Sequence, residues 1–281
     1  MKPLRFIHIP KTAGTTFTSI LQRQYFKTKS FHFNGDITSD IKTLKSLSEN
    51  DRKKVVLFTG HESFMTGINR IDSATTITFL RDPVSRVKSF CQHVAEGKSP
   101  YLTNDFPPET FRLNDFLESG NGELSNLQTK MLVNYGRCAP PLLLENMSAS
   151  EAKDLALDNL FNKISHFGLQ EYFDESLIVF LLALNWRMPL YSSKNKKNTS
   201  KLIQFKKHHL KRIAELNSTD MEVYRLAKEQ FACLLDSEAF DKEKLKRFHH
   251  INARSSFVIK NGERIIGLTK RCTGRLFRSA S

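Results

Sequence analysis

The sequence predicts an α/β protein of three layers, with a central parallel sheet between helices and a helical C-terminal part. Three observations support that class. Short apolar runs at Leu4, Val55 and Thr76 are continuous rather than alternating, the pattern of strands buried on both faces. Helix-length gaps separate them, as parallel crossovers require. The first and third runs each end in a tight turn that leads straight into residues at helical spacing.

Leu4-Arg5-Phe6-Ile7-His8-Ile9 reads as the first strand and Pro10-Lys11-Thr12-Ala13-Gly14 as its turn, after which Phe17, Ile20 and Leu21 mark a helix. Val55-Val56-Leu57-Phe58 is the second strand, closed by Thr59-Gly60-His61. Thr76-Ile77-Thr78-Phe79-Leu80 is the third, closed by Arg81-Asp82-Pro83, and Val84, Val87, Lys88 and Cys91 continue as a helix. Residues 96–127 read as a loop-rich insertion, with Pro, Asp and Gly concentrated between Asn104 and Asn121 and a short helix over the cleft. Ala156, Leu160 and Ile164 share a helical face, as do Phe173, Leu177, Phe180, Leu181 and Leu184. A further strand fits Ile164 to Leu169. Residues 190–281 begin with a basic turn at Lys194, Lys196 and Lys197, which either closes over a bound molecule, lines a groove or is a solvated loop. Two helices follow, the clearer marked by Tyr224, Ala227, Phe231 and Leu234, and then a hairpin at Asn261-Gly262. One domain over residues 1–281 accommodates all of this.

The 43 Lys and Arg outnumber the 29 Asp and Glu, a formal charge of +14. Such a surface attracts nucleic acid, anionic lipid, acidic glycans and phosphorylated cofactors alike. No zinc finger, basic region with heptads or paired RNA-binding aromatics appears, so no specific nucleic acid is expected. The 22 Phe are spread along the chain and read as core. Cys91, Cys138, Cys233 and Cys272 lie too far apart for a close metal-ligand pair or a dense disulfide framework, and no metal is expected. Pro10 and Lys11 end the first apolar run too early for a signal peptide. No later run approaches the roughly 18 residues of a spanning helix. A cytoplasmic location is the expectation; a lumenal catalytic domain trimmed of its anchor would read identically. Asn146, Asn198 and Asn217 open sequons, and homo-oligomers are left open.

Two turns carry the chemistry. A helix start presents unpaired N–H groups and the positive end of its peptide dipoles. At the first turn Gly14 permits close backbone approach, Thr12, Thr15 and Thr16 offer hydroxyls, and Lys11 adds a mobile cation. That makes the domain P-loop-like, but the Walker spacing Gly-x-x-x-x-Gly-Lys-Ser/Thr is missing because Lys11 precedes Gly14. At the second turn Arg81 stands at a strand end with Pro83 in the first turn of the next helix. Arg81 offers a donor fork to phosphate and Ser89 a hydroxyl. Arg86 faces either the ligand or Asp82, four residues before it. Two phosphate nests on strand ends suit a ligand with phosphates at both ends.

Phe6-Ile7-His8-Ile9-Pro10-Lys11-Thr12-Ala13-Gly14-Thr15-Thr16-Phe17 resembles the 5'-phosphosulfate loop of sulfotransferases that use 3'-phosphoadenosine 5'-phosphosulfate (PAPS). Among them the carbohydrate enzymes related to heparan sulfate and uronyl 2-O-sulfotransferases look nearest. The segment from Leu80 to Phe90 resembles their 3'-phosphate motif, and Thr59-Gly60-His61 the segment that supplies the catalytic base. Asn126 to Leu132 and Phe167 to Leu177 also look like family segments. The resemblance implies PAPS as sulfuryl donor, a hydroxyl-bearing carbohydrate or acidic glycan as acceptor, and no metal. Carried over residue by residue, it implies His61 as general base and Lys11 at the bridging oxygen. Lys11, Thr12, Ala13, Gly14, Thr15 and Thr16 would line the 5' end, with Arg81 and Ser89 at the 3'-phosphate. Glu62, next to His61, either orients His61 or the acceptor or is solvent-exposed. Two rivals stand beside this reading: an ATP/Mg-dependent P-loop phosphotransferase, with Asp82 as the metal carboxylate, and a non-enzymatic basic polyanion-binding protein.

Overall fold

The computed structural model describes residues 2–33, 36–61, 66–135, 147–192 and 202–255. Five parallel strands form one sheet: β1 (Leu4–Ile7), β2 (Lys29–His32), β3 (Val55–Gly60), β4 (Thr75–Leu80) and β5 (His166–Leu169), in the order β2-β3-β1-β4-β5. β1 is central, with Leu4 opposite Leu57 of β3 and Thr75 of β4. The predicted three-layer α/β/α class is the observed one.

Alternate residues of the inner strands point to opposite faces, and helices cover both. Leu4 and Phe6 of β1, with Ile77 and Phe79 of β4, pack on Phe17, Ile20 and Leu21 of α1 (Gly14–Gln24). Leu177, Ile178 and Phe180 of α9 (Phe173–Leu184) complete that layer. Ile7, Leu80 and Leu169 face the other way, onto α7 (Leu127–Asn134), α8 (Ala149–Asp158) and α11 (Ser218–Asp236). Because both faces are covered, residues on both faces of these strands are buried, including Arg5 of β1 and Thr76 and Thr78 of β4. β2 differs. Lys29-Ser30-Phe31-His32 lies at the sheet edge and is largely exposed, so it carries no apolar signature for a sequence pattern to find.

Between β2 and β3 stand α2 (Ile37–Ser46) and α3 (Glu49–Lys54), and α4 (Asn69–Asp72) precedes β4. After β4, α5 (Pro83–Ala95) begins with Asp82 as N-cap, its carboxylate accepting from Ser85 N–H at 2.8 Å, and Pro83 follows where no N–H is needed. Residues 96–127 are mostly turns around one helix, α6 (Leu113–Leu117). Val87, Phe90 and Val94 of α5 form with Phe116, Leu117 and Leu124 a separate cluster, which Ile213 of α10 (Lys207–Leu216) closes. A last helix covers 242–255. The hairpin expected at Asn261-Gly262 and the basic turn at Lys194, Lys196 and Lys197 lie outside the described residues, as do Glu62, Cys138 and Cys272.

Residues distant in sequence fix α7 over the strand ends. The start of α7 has no side-chain cap of its own, since Asn126 is left-handed there. Asp220 of α11 replaces it, buried and accepting from Gln128 N–H, Thr129 N–H and the Thr129 hydroxyl. Asn217 takes the Asn126 N–H and gives its amide to the carbonyls of Leu124 and Ile213. Fully buried and thus engaged, Asn217 offers nothing to a glycosylating enzyme; the sequons at Asn146 and Asn198 fall outside the described residues. Cys91 is buried and Cys233 exposed, both as free thiols. Among the described residues no helix is long and apolar enough to cross a membrane.

Candidate active site

The C-terminal ends of β1, β3, β4 and β5 open onto one cavity of about 970 Å³. Lys11, Ala13, Gly14, Thr15, Thr16, His61, Arg81 and Ser89 all line it. Two turns 70 residues apart in sequence therefore face one space. They also touch: Arg81 Nη1 donates to the Lys11 carbonyl at 2.9 Å.

The first turn is wound to present its N–H groups. Lys11 and Ala13 both adopt left-handed backbone with φ of 70°, an uncommon and costly choice for residues with a Cβ. Alternation of this kind makes a concave nest of N–H groups at the start of α1. Thr12 departs from the sequence expectation. It is fully buried, its hydroxyl donates to the Ile9 carbonyl at 2.8 Å, and it does not line the cavity. Its role is to tie the turn together, while Thr15 and Thr16 keep their places on the wall.

The second turn is held just as firmly. Gln128, buried in the first turn of α7, pairs with both backbone groups of Arg81: its Oε1 accepts from the N–H at 2.9 Å and its Nε2 donates to the carbonyl at 2.8 Å. Glu171 accepts from Asp82 N–H and from the Tyr224 hydroxyl. The Arg81 Nε is buried without a partner, and so is Oε1 of Gln170, another residue of the cavity wall. Arg86 turns away from ligand and from Asp82 alike; fully buried, it donates to the Glu123 carbonyl beneath the wall. Asp82 spends its carboxylate on capping α5.

The wall is cationic. Burial lowers the pKa of Lys11, and the neighbouring charges of Arg81 and Lys98 lower it further. Burial likewise lowers Arg81. Among the described residues neither cation has an ion-pair partner within 4 Å, and one residue of the wall is acidic, Glu123, which accepts from the Tyr101 hydroxyl. Two partly desolvated cations with no carboxylate within 4 Å among the described residues favour uptake of an anion.

His61 follows β3 directly, on the same rim. Its Nδ1 lies 2.6 Å from the His8 carbonyl. A carbonyl only accepts, so Nδ1 carries the proton and, in the neutral ring, Nε2 holds the lone pair. The His8 ring lies beside it, centroids 4.5 Å apart. Burial, then His61, His32 and Lys11, push His8 down to about 3. Burial, then Lys11 and Lys98, bring His93 of the same cavity to about 4. His93, Lys130, Gln128 and Glu171 were not singled out from sequence. For Gln128 and Glu171 the signal was their place in the quoted segments; for His93, four residues after Ser89 on α5, it was helical spacing.

These two depressed histidines predict acid sensitivity. An unfolded histidine binds its proton near 6.5, while the folded protein resists to about 3 for His8 and about 4 for His93. Their contribution to stability is complete above the unfolded value and is lost as pH falls through that window. Urea unfolding at stepped pH should therefore show His8→Phe gaining on the wild type as pH falls from 6.5 to about 3. Parallel stability curves for the two proteins would count against a buried neutral His8.

No family model matches the chain. Over 179 residues, 55% of this chain, it is 27% identical to a heparan-sulfate 6-O-sulfotransferase 3-B of Danio rerio. The chain spans less than half of that relative, 42% of its length. The protein thus combines a transferase-like α/β fold with distant relationship to a sulfotransferase. The relative's name contains heparan sulfate, as does part of the group the motifs resemble, with 6-O in place of 2-O. Among the described residues no group of His, Cys, Asp or Glu is arranged to hold a metal ion.

Proposed function

We propose that this protein transfers a sulfuryl group from PAPS to a carbohydrate hydroxyl, with His61 as general base. The observation that carries the reading is the placement of Lys11 and Arg81, cations on neighbouring strand ends with no ion-pair partner among the described residues, in one cavity with His61. PAPS supplies the sulfuryl group and departs as adenosine 3',5'-bisphosphate. Arg81 and Ser89 hold the 3'-phosphate; the N–H groups of the first turn, with Thr15 and Thr16, hold the 5' end. Lys11 meets the negative charge that grows on the bridging oxygen as the sulfur–oxygen bond breaks. His61 Nε2 takes the proton from the acceptor hydroxyl as its oxygen bonds to sulfur. The Nδ1–H bond to the His8 carbonyl keeps that lone pair on Nε2.

The rival phosphotransferase needs a carboxylate for magnesium, and Asp82 is committed to the start of α5. A degenerate polyanion binder has no use for two left-handed residues at Lys11 and Ala13. Thermal melting separates the three. Adenosine 3',5'-bisphosphate at about 100 times its Kd should stabilise the protein by about 2.7 kcal/mol, and ATP–magnesium should not. Stabilisation by ATP–magnesium instead would favour the phosphotransferase; salt-sensitive binding of any polyanion with no nucleotide preference would favour the binder.

A further inference from the structure

We propose that the His8 imidazole is a positioning residue that couples the first anion turn to His61 through the empty side of Gly14. The inference rests on the sulfuryl-transfer reading for its catalytic consequence and on packing alone for its geometry.

The sequence gives Gly14 one obvious purpose, room for a phosphate. The packing gives it another. A Cβ built on Gly14 would lie 1.7 Å from Nε2 of His8, 2.0 Å from Cδ2 and 2.4 Å from Cε1. The imidazole edge fills the space a side chain would need. Backbone conformation does not demand glycine here, since Gly14 is helical and absent from the residues of positive φ. On its other sides the ring stacks on Phe6 at 5.6 Å and lies against the His61 ring at 4.5 Å. The carbonyl of the same residue accepts from His61 Nδ1. His8 therefore contacts the base twice and the start of α1 once, so a displacement at the start of α1 is passed to the base. Among the described residues no hydrogen bond uses its ring nitrogens, and the coupling is one of shape.

Shape coupling is tested by exchanging sizes. Gly14→Ala pushes the ring toward His61 and should lower kcat by about 10²-fold, the scale of an ångström's misplacement at a reacting centre. His8→Ala, which leaves the carbonyl bond in place, should lower kcat by about tenfold with the donor KM little changed. The double variant gives the new methyl the vacated space, and its kcat should be no lower than that of His8→Ala. His8→Phe keeps a ring over Gly14 and should recover most of what His8→Ala loses. Losses that multiply in the double variant, or His8→Phe as slow as His8→Ala, would overturn the coupling. Should Gly14→Ala fold poorly, the same four proteins are compared by melting temperature, where His8→Ala must rescue Gly14→Ala. That arm needs no turnover: a wild type that binds no bisphosphate sinks the sulfuryl reading and leaves the melting cycle to decide the coupling.

Discussion

His61→Ala should lower turnover by about 10³-fold, within the range that a positioned general base supplies, while adenosine 3',5'-bisphosphate binds as it does to the wild type. The split follows from where the residue sits. His61 is exposed on the rim, after the last residue of β3, and its one hydrogen bond within the described structure goes to the His8 carbonyl. It holds neither anion turn in place: Arg81 is seated by Gln128, and the first turn by Thr12 and by Arg81. Removing the imidazole thus takes away the proton acceptor and leaves the cationic wall intact. Turnover measured with labelled sulfate, together with calorimetric titration of the bisphosphate, reads both halves. Near-normal turnover would remove His61 from the chemistry. Equal losses in turnover and affinity would make it a binding residue instead.

The sheet's inner strands were legible because burial on both faces favours residues that pack on either side, apolar throughout in Val55 to Phe58 and β-branched or apolar in Thr76 to Leu80. The edge strand β2 was not, since one polar rim suffices for Lys29 to His32. At the site, Lys11 and Arg81 were legible from turn chemistry and His61 from the resemblance of Thr59-Gly60-His61 alone; with Ser89 they line one cavity. Whether a hydroxyl faces ligand or its own turn depends on backbone winding that no residue type announces, and Thr12 turned inward. Arg86 illustrates the same limit: spacing offered Asp82 as partner, but Asp82 caps the helix and Arg86 is drawn under the wall to Glu123. The supports of the site were hidden for a different reason. Asp220 and Asn217 act on residues more than 90 positions away, and single polar residues at the junction of two helices give no periodic signal of a distant partner.

Arg81→Ala should weaken adenosine 3',5'-bisphosphate by about 10²-fold or more, the scale of removing one partner from a buried, hydrogen-bonded charge pair. Two contributions add. The guanidinium is lost to the 3'-phosphate, and Lys11 loses the donor that fixes its carbonyl, so the left-handed first turn relaxes and the 5' end is held less well. The free protein should respond in the opposite sense. Arg81 is a partly buried cation with an unpartnered Nε and a pKa lowered by burial, so the unliganded variant should melt no lower than the wild type. Lost ligand stabilisation without lost fold stability is the signature of a group kept for a ligand. Arg81→Lys sharpens the test, because one ammonium cannot serve both the Lys11 carbonyl and a phosphate as a planar fork does; it should recover only part of the affinity. Bisphosphate binding unchanged in Arg81→Ala would place the 3'-phosphate elsewhere. A large fall in the melting temperature of the free variant would instead make Arg81 a structural strut between the two turns.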